Sequence, residues 1–159
     1  MQQQKFRTAV FPGSFDPFTI GHESVVKRAL SIFDKVVIGI GENTTKTSFF
    51  PLEKRIEGIK KVFEDMSDKV EVKSYKGLTV DFCRSENAGF ILRGLRTAAD
   101  FEYERAIAQT NRAMYSDVET FFLLTLPEHN HINSSIIREI IKQGGDASRF
   151  LPVNYKIRF

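Results

Sequence analysis

The chain has 159 residues, 42% of them hydrophobic and 27% charged, which suits one domain over 1–159 with a core needing neither disulfides nor a structural metal. The net charge of +3 and pI of about 9.0 fit an anion-binding enzyme, and the absence of any Lys/Arg block of five or more argues against a nucleic-acid binder. The single Cys83 excludes an internal disulfide and suits a reducing cytoplasm, and the run 1–13, broken by Pro12 and Gly13, reads as neither signal peptide nor membrane span.

In chain order, the apolar run 7–11 predicts a first strand. Val25, Val26, Ala29, Leu30 and Phe33 fall at helical spacing and predict a helix over 22–33. The β-branched run 35–41 reads as a buried strand. Leu52, Ile56, Ile59 and Phe63 form a second helical stripe opened by Pro51. A strand follows over 69–75, a short helix over 79–87, a short strand over 90–92, a long helix over 100–114 and an apolar strand over 118–126. Ile136, Ile137, Ile140 and Ile141 mark a last helix, stopped by Gly144 and Gly145. Strands alternating with helices predict a doubly wound α/β fold. The sheet is Rossmann-like, with five parallel strands and helices on both faces. Ligands of such sheets bind beyond the carboxyl ends of the strands. Those ends carry Pro12-Gly13-Ser14, the loop 41–46, Arg93-Gly94-Leu95-Arg96 and the segment 127–135.

The first of these ends is the most informative. It reads Phe11-Pro12-Gly13-Ser14-Phe15-Asp16-Pro17-Phe18-Thr19-Ile20-Gly21-His22, straight after a strand and opening a helix. Gly21 leaves room for an anion at the helix N-terminus, where free N–H groups and the helix dipole favour negative charge, and His22 would project toward it. The pattern is neither GxGxxG nor GxxxxGK[ST]. Lys46 lies on the same edge, though a lone loop lysine is commonly just solvated. Arg93 and Arg96 follow an apolar strand and read either as phosphate-binding forks or as ion-pair partners of Asp100 or Glu104. Glu104 could also accept from a ribose or base, while acidic residues opening a helix complement its dipole in any case. Ser134 or Ser135 is a natural N-cap for the last helix, and the amides beside it could hold phosphate oxygens. His129 and His131 lack a third histidine or a cysteine to complete a metal site, so no metal ligands are assigned.

Together these residues resemble the nucleotidyltransferase superfamily with an (H/T)xGH motif, here Thr19-Ile20-Gly21-His22, and a later ISSS/T-type motif, here Ile132-Asn133-Ser134-Ser135. Within it, Pro12-Gly13-Ser14-Phe15-Asp16-Pro17, Arg93-Gly94-Leu95-Arg96 and Ala99-Asp100-Phe101-Glu102-Tyr103-Glu104 are similar to the bacterial phosphopantetheine adenylyltransferase family over nearly the whole chain. The resemblance implies transfer of AMP from ATP to 4′-phosphopantetheine, giving dephospho-coenzyme A and pyrophosphate. It also implies Mg2+, coenzyme A as an inhibitor, a cytoplasmic location and a homohexamer. It assigns His22 to transition-state stabilisation, and Ser14, Lys46, Thr79 and Arg93 to phosphopantetheine. ATP would be held by Ser14, Phe15, His22, Gly94, Leu95, Arg96, Glu104 and the run His129, Asn130, His131, Ile132, Asn133, Ser134 and Ser135. Asn133 departs from the family's usual serine. In-line transfer to an anionic acceptor needs positioned cationic donors rather than a strong base or covalent nucleophile. A sibling enzyme using CTP or nicotinamide mononucleotide, and a non-catalytic nucleotide- or nucleic-acid-binding module, share parts of this pattern.

Overall fold

The computed structural model describes residues 6–43 and 45–156; residues 1–5, Thr44 and residues 157–159 lie outside them. Five strands form one parallel sheet: β1 (Thr8–Gly13), β2 (Lys35–Gly41), β3 (Val70–Tyr75), β4 (Phe90–Leu95) and β5 (Glu119–Leu124), in the order β3-β2-β1-β4-β5. Five helices connect and follow them: α1 (Ile20–Ala29), α2 (Leu52–Val62), α3 (Thr79–Ser85), α4 (Ala98–Met114) and α5 (Ser134–Lys142). Each inner strand is apolar on both faces because each face carries a core. Ala9, Phe11, Ile38 and Leu92 pack with Val26, Ile59 and Ile137 on one face. Val10, Val37 and Ile91 pack with Val80 and Cys83 on the other. Among the described residues no helix is long and apolar enough to cross a membrane.

Several boundaries differ from the periodicity, and three of them shape the site. β1 runs two residues further, because Pro12 and Gly13 still pair with Gly39 and Ile40 of β2. α1 starts at Ile20, capped by Thr19, and stops at Ala29; the amides of Ile32 and Phe33 both donate back to Ala29 O, and both side chains still reach the core. β4 extends to Leu95, since Arg93, Gly94 and Leu95 pair with Phe122, Leu123 and Leu124 of β5.

The register places the site. β1 pairs with β2 along its whole length, but with β4 only at Ala9–Phe90 and Val10–Ile91. Beyond those two pairs the strands part, β1 staying with β2 and β4 with β5. The sheet therefore splits at the strand-order reversal, where open α/β sheets bind ligands.

Candidate active site

The turn over residues 14–18 sits at the head of this split. Its carbonyls are drawn away from the opening by side chains distant in sequence. Arg55 Nη1 donates to Ser14 O at 2.6 Å, Arg138 Nη1 to Asp16 O at 2.6 Å, and Ser134 Oγ to Pro17 O at 2.9 Å. The Asp16 carboxylate accepts from the amides of Phe49 and Phe50 at 2.7 and 2.8 Å, and Phe18 N–H donates to the Tyr155 hydroxyl at 3.3 Å. Among the described residues the amides of Ser14 and Phe15 have no acceptor. The turn thus keeps its acceptors occupied and its donors free, the polarity an anion needs. Phe15 holds a left-handed backbone (φ 47°), a conformation costing about 1–2 kcal/mol for a residue with a Cβ. Its ring is locked against Phe11 and Phe18, with centroids 5.2 and 5.4 Å away. A Cβ on Gly13 would lie 2.8 Å from that ring, so only glycine fits there.

Thr19 and His22 form a capping box, with histidine where a glutamate or glutamine usually stands. The Thr19 hydroxyl accepts from His22 N–H at 3.3 Å, and the Thr19 backbone N–H donates to His22 Nδ1 at 3.0 Å. A backbone amide can only donate, so Nδ1 is an acceptor and the imidazole proton resides on Nε2. The ring packs among Phe11, Phe15 and Phe18. Burial there, followed by the charges of Arg96 and Arg93, lowers the His22 pKa to about 4. His22 is therefore a neutral donor at physiological pH, and the cationic donors are the arginines. A Cβ on Gly21 would meet nothing closer than 3.5 Å, so the fold does not require glycine there; the space faces the opening.

Two clefts meet at the split. The first, of about 620 Å³, runs past Ser14, His22, Arg96 and the start of α5. The second, of about 490 Å³, runs past Tyr75, Thr79 and the α4 residues Ile107 and Asn111. Both are walled by Pro12, Gly13, Ser14, Arg93 and Glu104. Arg93 bridges the parted strands. Its Nη1 donates to Pro12 O at 2.7 Å, and its Nε and Nη2 grip the Glu104 carboxylate, the former at 2.9 Å. Three of its five N–H bonds are thereby used, leaving two for a ligand. Arg96 is steered by Asp100 at 3.4 Å and by the Ile132 carbonyl at 3.3 Å.

Asn133, rather than either serine, caps α5, its side chain accepting from Ser135 N–H at 2.8 Å. This accounts for an amide at that position, since asparagine caps at least as well as serine. Ser134 is spent on Pro17. Arg138, which the sequence reading did not single out, lines the first cleft and donates to Ser135 Oγ at 3.0 Å. Its signal was available: it lies one turn into α5 from Ser134 and Ser135.

Of the residues the sequence singles out, Ser14, Phe15, His22, Arg93, Gly94, Arg96, Glu104, His129, Ile132, Asn133, Ser134 and Ser135 line the first cleft. Thr79 lines the second and shares a 2.8 Å hydrogen bond with the Tyr75 hydroxyl. Leu95 is buried in the sheet, and Asn130 and His131 lie on the surface outside both clefts. Lys46 is exposed beside the second cleft, three residues past its wall residue Asn43. The His129 Nδ1 atom is buried with no partner.

The donor set does not form a protein-held magnesium site. Among the described residues no three His, Cys, Asp or Glu side chains converge. The carboxylates nearest the turn are taken: Asp16 by two amides, Asp100 by Arg96, and Glu104 by Arg93.

The cytidylyltransferase-like family profile matches residues 10–140. The chain is 54% identical over 151 residues to a phosphopantetheine adenylyltransferase of Phocaeicola vulgatus, covering 95% of this chain and 99% of that protein. It is 50% identical to the phosphopantetheine adenylyltransferase of Cytophaga hutchinsonii over the same shares. In fold it is similar to a bifunctional NMN adenylyltransferase/ADP-ribose pyrophosphatase from Francisella tularensis. That match has a TM-score of 0.71 at 18% identity and covers 94% of this chain and 46% of the other.

Proposed function

Because the chain belongs to the phosphopantetheine adenylyltransferase family of cytidylyltransferase-like nucleotidyltransferases, we propose that it transfers AMP from ATP to 4′-phosphopantetheine. The products are dephospho-coenzyme A and pyrophosphate, a step of coenzyme A synthesis. The observation that carries this reading is the pair of clefts sharing Ser14 and Arg93 at one seam. A reaction between two phosphates needs two sites that touch at one point.

ATP occupies the first cleft, its phosphates over the free amides of Ser14 and Phe15 and the N-terminus of α5, with Arg96 and Arg138 beside them. Phosphopantetheine occupies the second, its arm along Thr79 and its phosphate at the two remaining Arg93 donors, with Lys46 reaching in from the loop. A phosphate oxygen of the acceptor attacks the α-phosphorus of ATP in line. The new P–O bond forms as the bond to the β-phosphate oxygen breaks, and pyrophosphate leaves with the electron pair. His22 donates its Nε2 proton as a hydrogen bond to a non-bridging α-oxygen, where charge builds in the transition state. Glu104 fixes the plane of Arg93, and its spare lone pairs remain open to the ATP ribose. Magnesium arrives on the ATP phosphates as part of the substrate, as is usual for this ion.

The same reading makes the chain a single cytoplasmic catalytic domain that assembles as a homohexamer, and makes coenzyme A a competitor for the second cleft. Pyrophosphate release from ATP is expected only when 4′-phosphopantetheine is added, and not with nicotinamide mononucleotide as acceptor or CTP as donor. Release with the latter pair, or none with the former, would overturn it.

A further inference from the structure

We propose that Arg55 is a positioning residue for the acceptor phosphate, its buried guanidinium tying the segment that carries Lys46 to the Ser14 turn. The inference rests on the reading that Lys46 and Arg93 bind that phosphate. Arg55 closes the first turn of α2, its amide donating to Pro51 O at 3.1 Å, and is only 5% exposed. Its charge makes no ion pair among the described residues. Three neutral oxygens take it instead: Ser14 O at 2.6 Å, Phe50 O at 3.1 Å and Ser48 Oγ at 3.1 Å. The turn answers in kind, since the Asp16 carboxylate holds the amides of Phe49 and Phe50. Residues 48–50 and 14–16 are thus cross-latched by one buried cation and one buried anion.

Burying an unpaired guanidinium is costly, and α2 could close its first turn with an apolar residue at lower cost. What the charge gains is placement. Lys46 stands two residues before Ser48, so its Cα lies within about 7 Å of the latched position. The other end of the loop is fixed where Glu42 N–H donates to Tyr75 O at 2.9 Å, beside the second cleft. Pinning Ser48 confines Lys46 to the mouth of that cleft, and the same guanidinium keeps the Ser14 carbonyl turned away from the seam.

The test is steady-state kinetics of the full chain with ATP and 4′-phosphopantetheine for Ser48→Ala, Arg55→Lys, Lys46→Ala and the Ser48→Ala/Lys46→Ala double variant. Ser48→Ala keeps the buried cation bonded to two carbonyls and guards against misfolding, which the melting temperature monitors. Ser48→Ala and Arg55→Lys are each expected to raise the KM for phosphopantetheine about tenfold, equivalent to ~1.4 kcal/mol, and to leave the KM for ATP within about twofold. The double variant is expected to be no worse than Lys46→Ala alone, because the latch acts through that lysine. Equal rises in both KM values, or additive effects in the double variant, would show that Arg55 serves only the fold. A Lys46→Ala enzyme with unchanged acceptor KM would overturn the acceptor-site reading and this inference with it. A raised KM in Lys46→Ala alone would overturn this inference and leave that reading standing.

Discussion

His22 shows how a backbone detail fixes a chemical role. The Thr19 amide claims Nδ1, so the ring can only present Nε2–H to the opening. Its low pKa keeps that donor neutral, and a neutral donor helps in the transition state without binding ground-state ATP tightly. His22→Ala is therefore expected to lower kcat by about 10²–10³, the usual cost of one preorganised donor, with ATP affinity changed only a few-fold. Pyrophosphate release and equilibrium ATP binding measure the two. The same shift carries a pH dependence. The folded pKa of about 4 lies below the ordinary 6.5, so the unfolded chain binds the extra proton more readily between those values. His22 therefore costs no stability above about pH 6.5 and takes stability away as pH falls toward 4, reaching about 3 kcal/mol at ~1.4 kcal/mol per tenfold change in proton activity. Denaturant unfolding of the wild type and His22→Gln from pH 7 to pH 4 should show the wild type losing more stability on acidification. Parallel curves would remove His22 from the titration.

At the scale of elements, the site is a set of helix starts and strand ends held by remote struts. α5 depends on its cap, so Asn133→Ala should cost about 1 kcal/mol and Asn133→Ser nearly nothing, read from denaturant midpoints. Tyr155 is a strut of another kind. Its hydroxyl meets Phe18 N–H from 137 residues away, and burial pushes its pKa up to about 12. Tyr155→Phe would strand that buried amide at a cost of about 1–3 kcal/mol and should loosen the turn, lowering kcat as well as the melting temperature. These struts also mark what the sequence made legible. The Pro12 to His22 turn could be read because all its signals are local: an apolar strand, Gly13, then Thr19-Ile20-Gly21-His22 ahead of a helical stripe. The far end of β4 could not, because Arg93 and Gly94 interrupt the apolar run and their strand character comes from β5 alongside. Nor could the tie of Arg55 to the Ser14 carbonyl 41 residues away, or that of Arg138 to the Asp16 carbonyl 122 residues away, which leave no periodic trace, although the place of Arg138 one turn into α5 was legible. Asn133 read as a departure from its family's pattern, and geometry makes it the cap.

Across the whole molecule, one side of the sheet is less finished than the other. β5 is an edge strand with Leu124 70% exposed, and α4 buries none of its 17 residues. Tyr103, Ile107 and Met114 fall at i, i+4 and i+11 along α4, within one narrow stripe, and all three are exposed. An apolar stripe beside an open strand edge is the surface a soluble chain covers with a partner. The proposed homo-oligomer supplies one: a second copy of this chain. The stripe also borders both clefts, Tyr103 at the first and Ile107 at the second. A copy seated there would wall the clefts on their open side, so assembly and turnover should be linked. Met114 and Leu124 lie outside both clefts, which makes them clean probes. Met114→Glu with Leu124→Glu is expected to shift sedimentation toward an 18.2 kDa monomer and to lower kcat, with the melting temperature becoming independent of protein concentration. A double variant that sediments as the wild type does would place the contact elsewhere. A monomer with full activity would show that the clefts are complete within one chain.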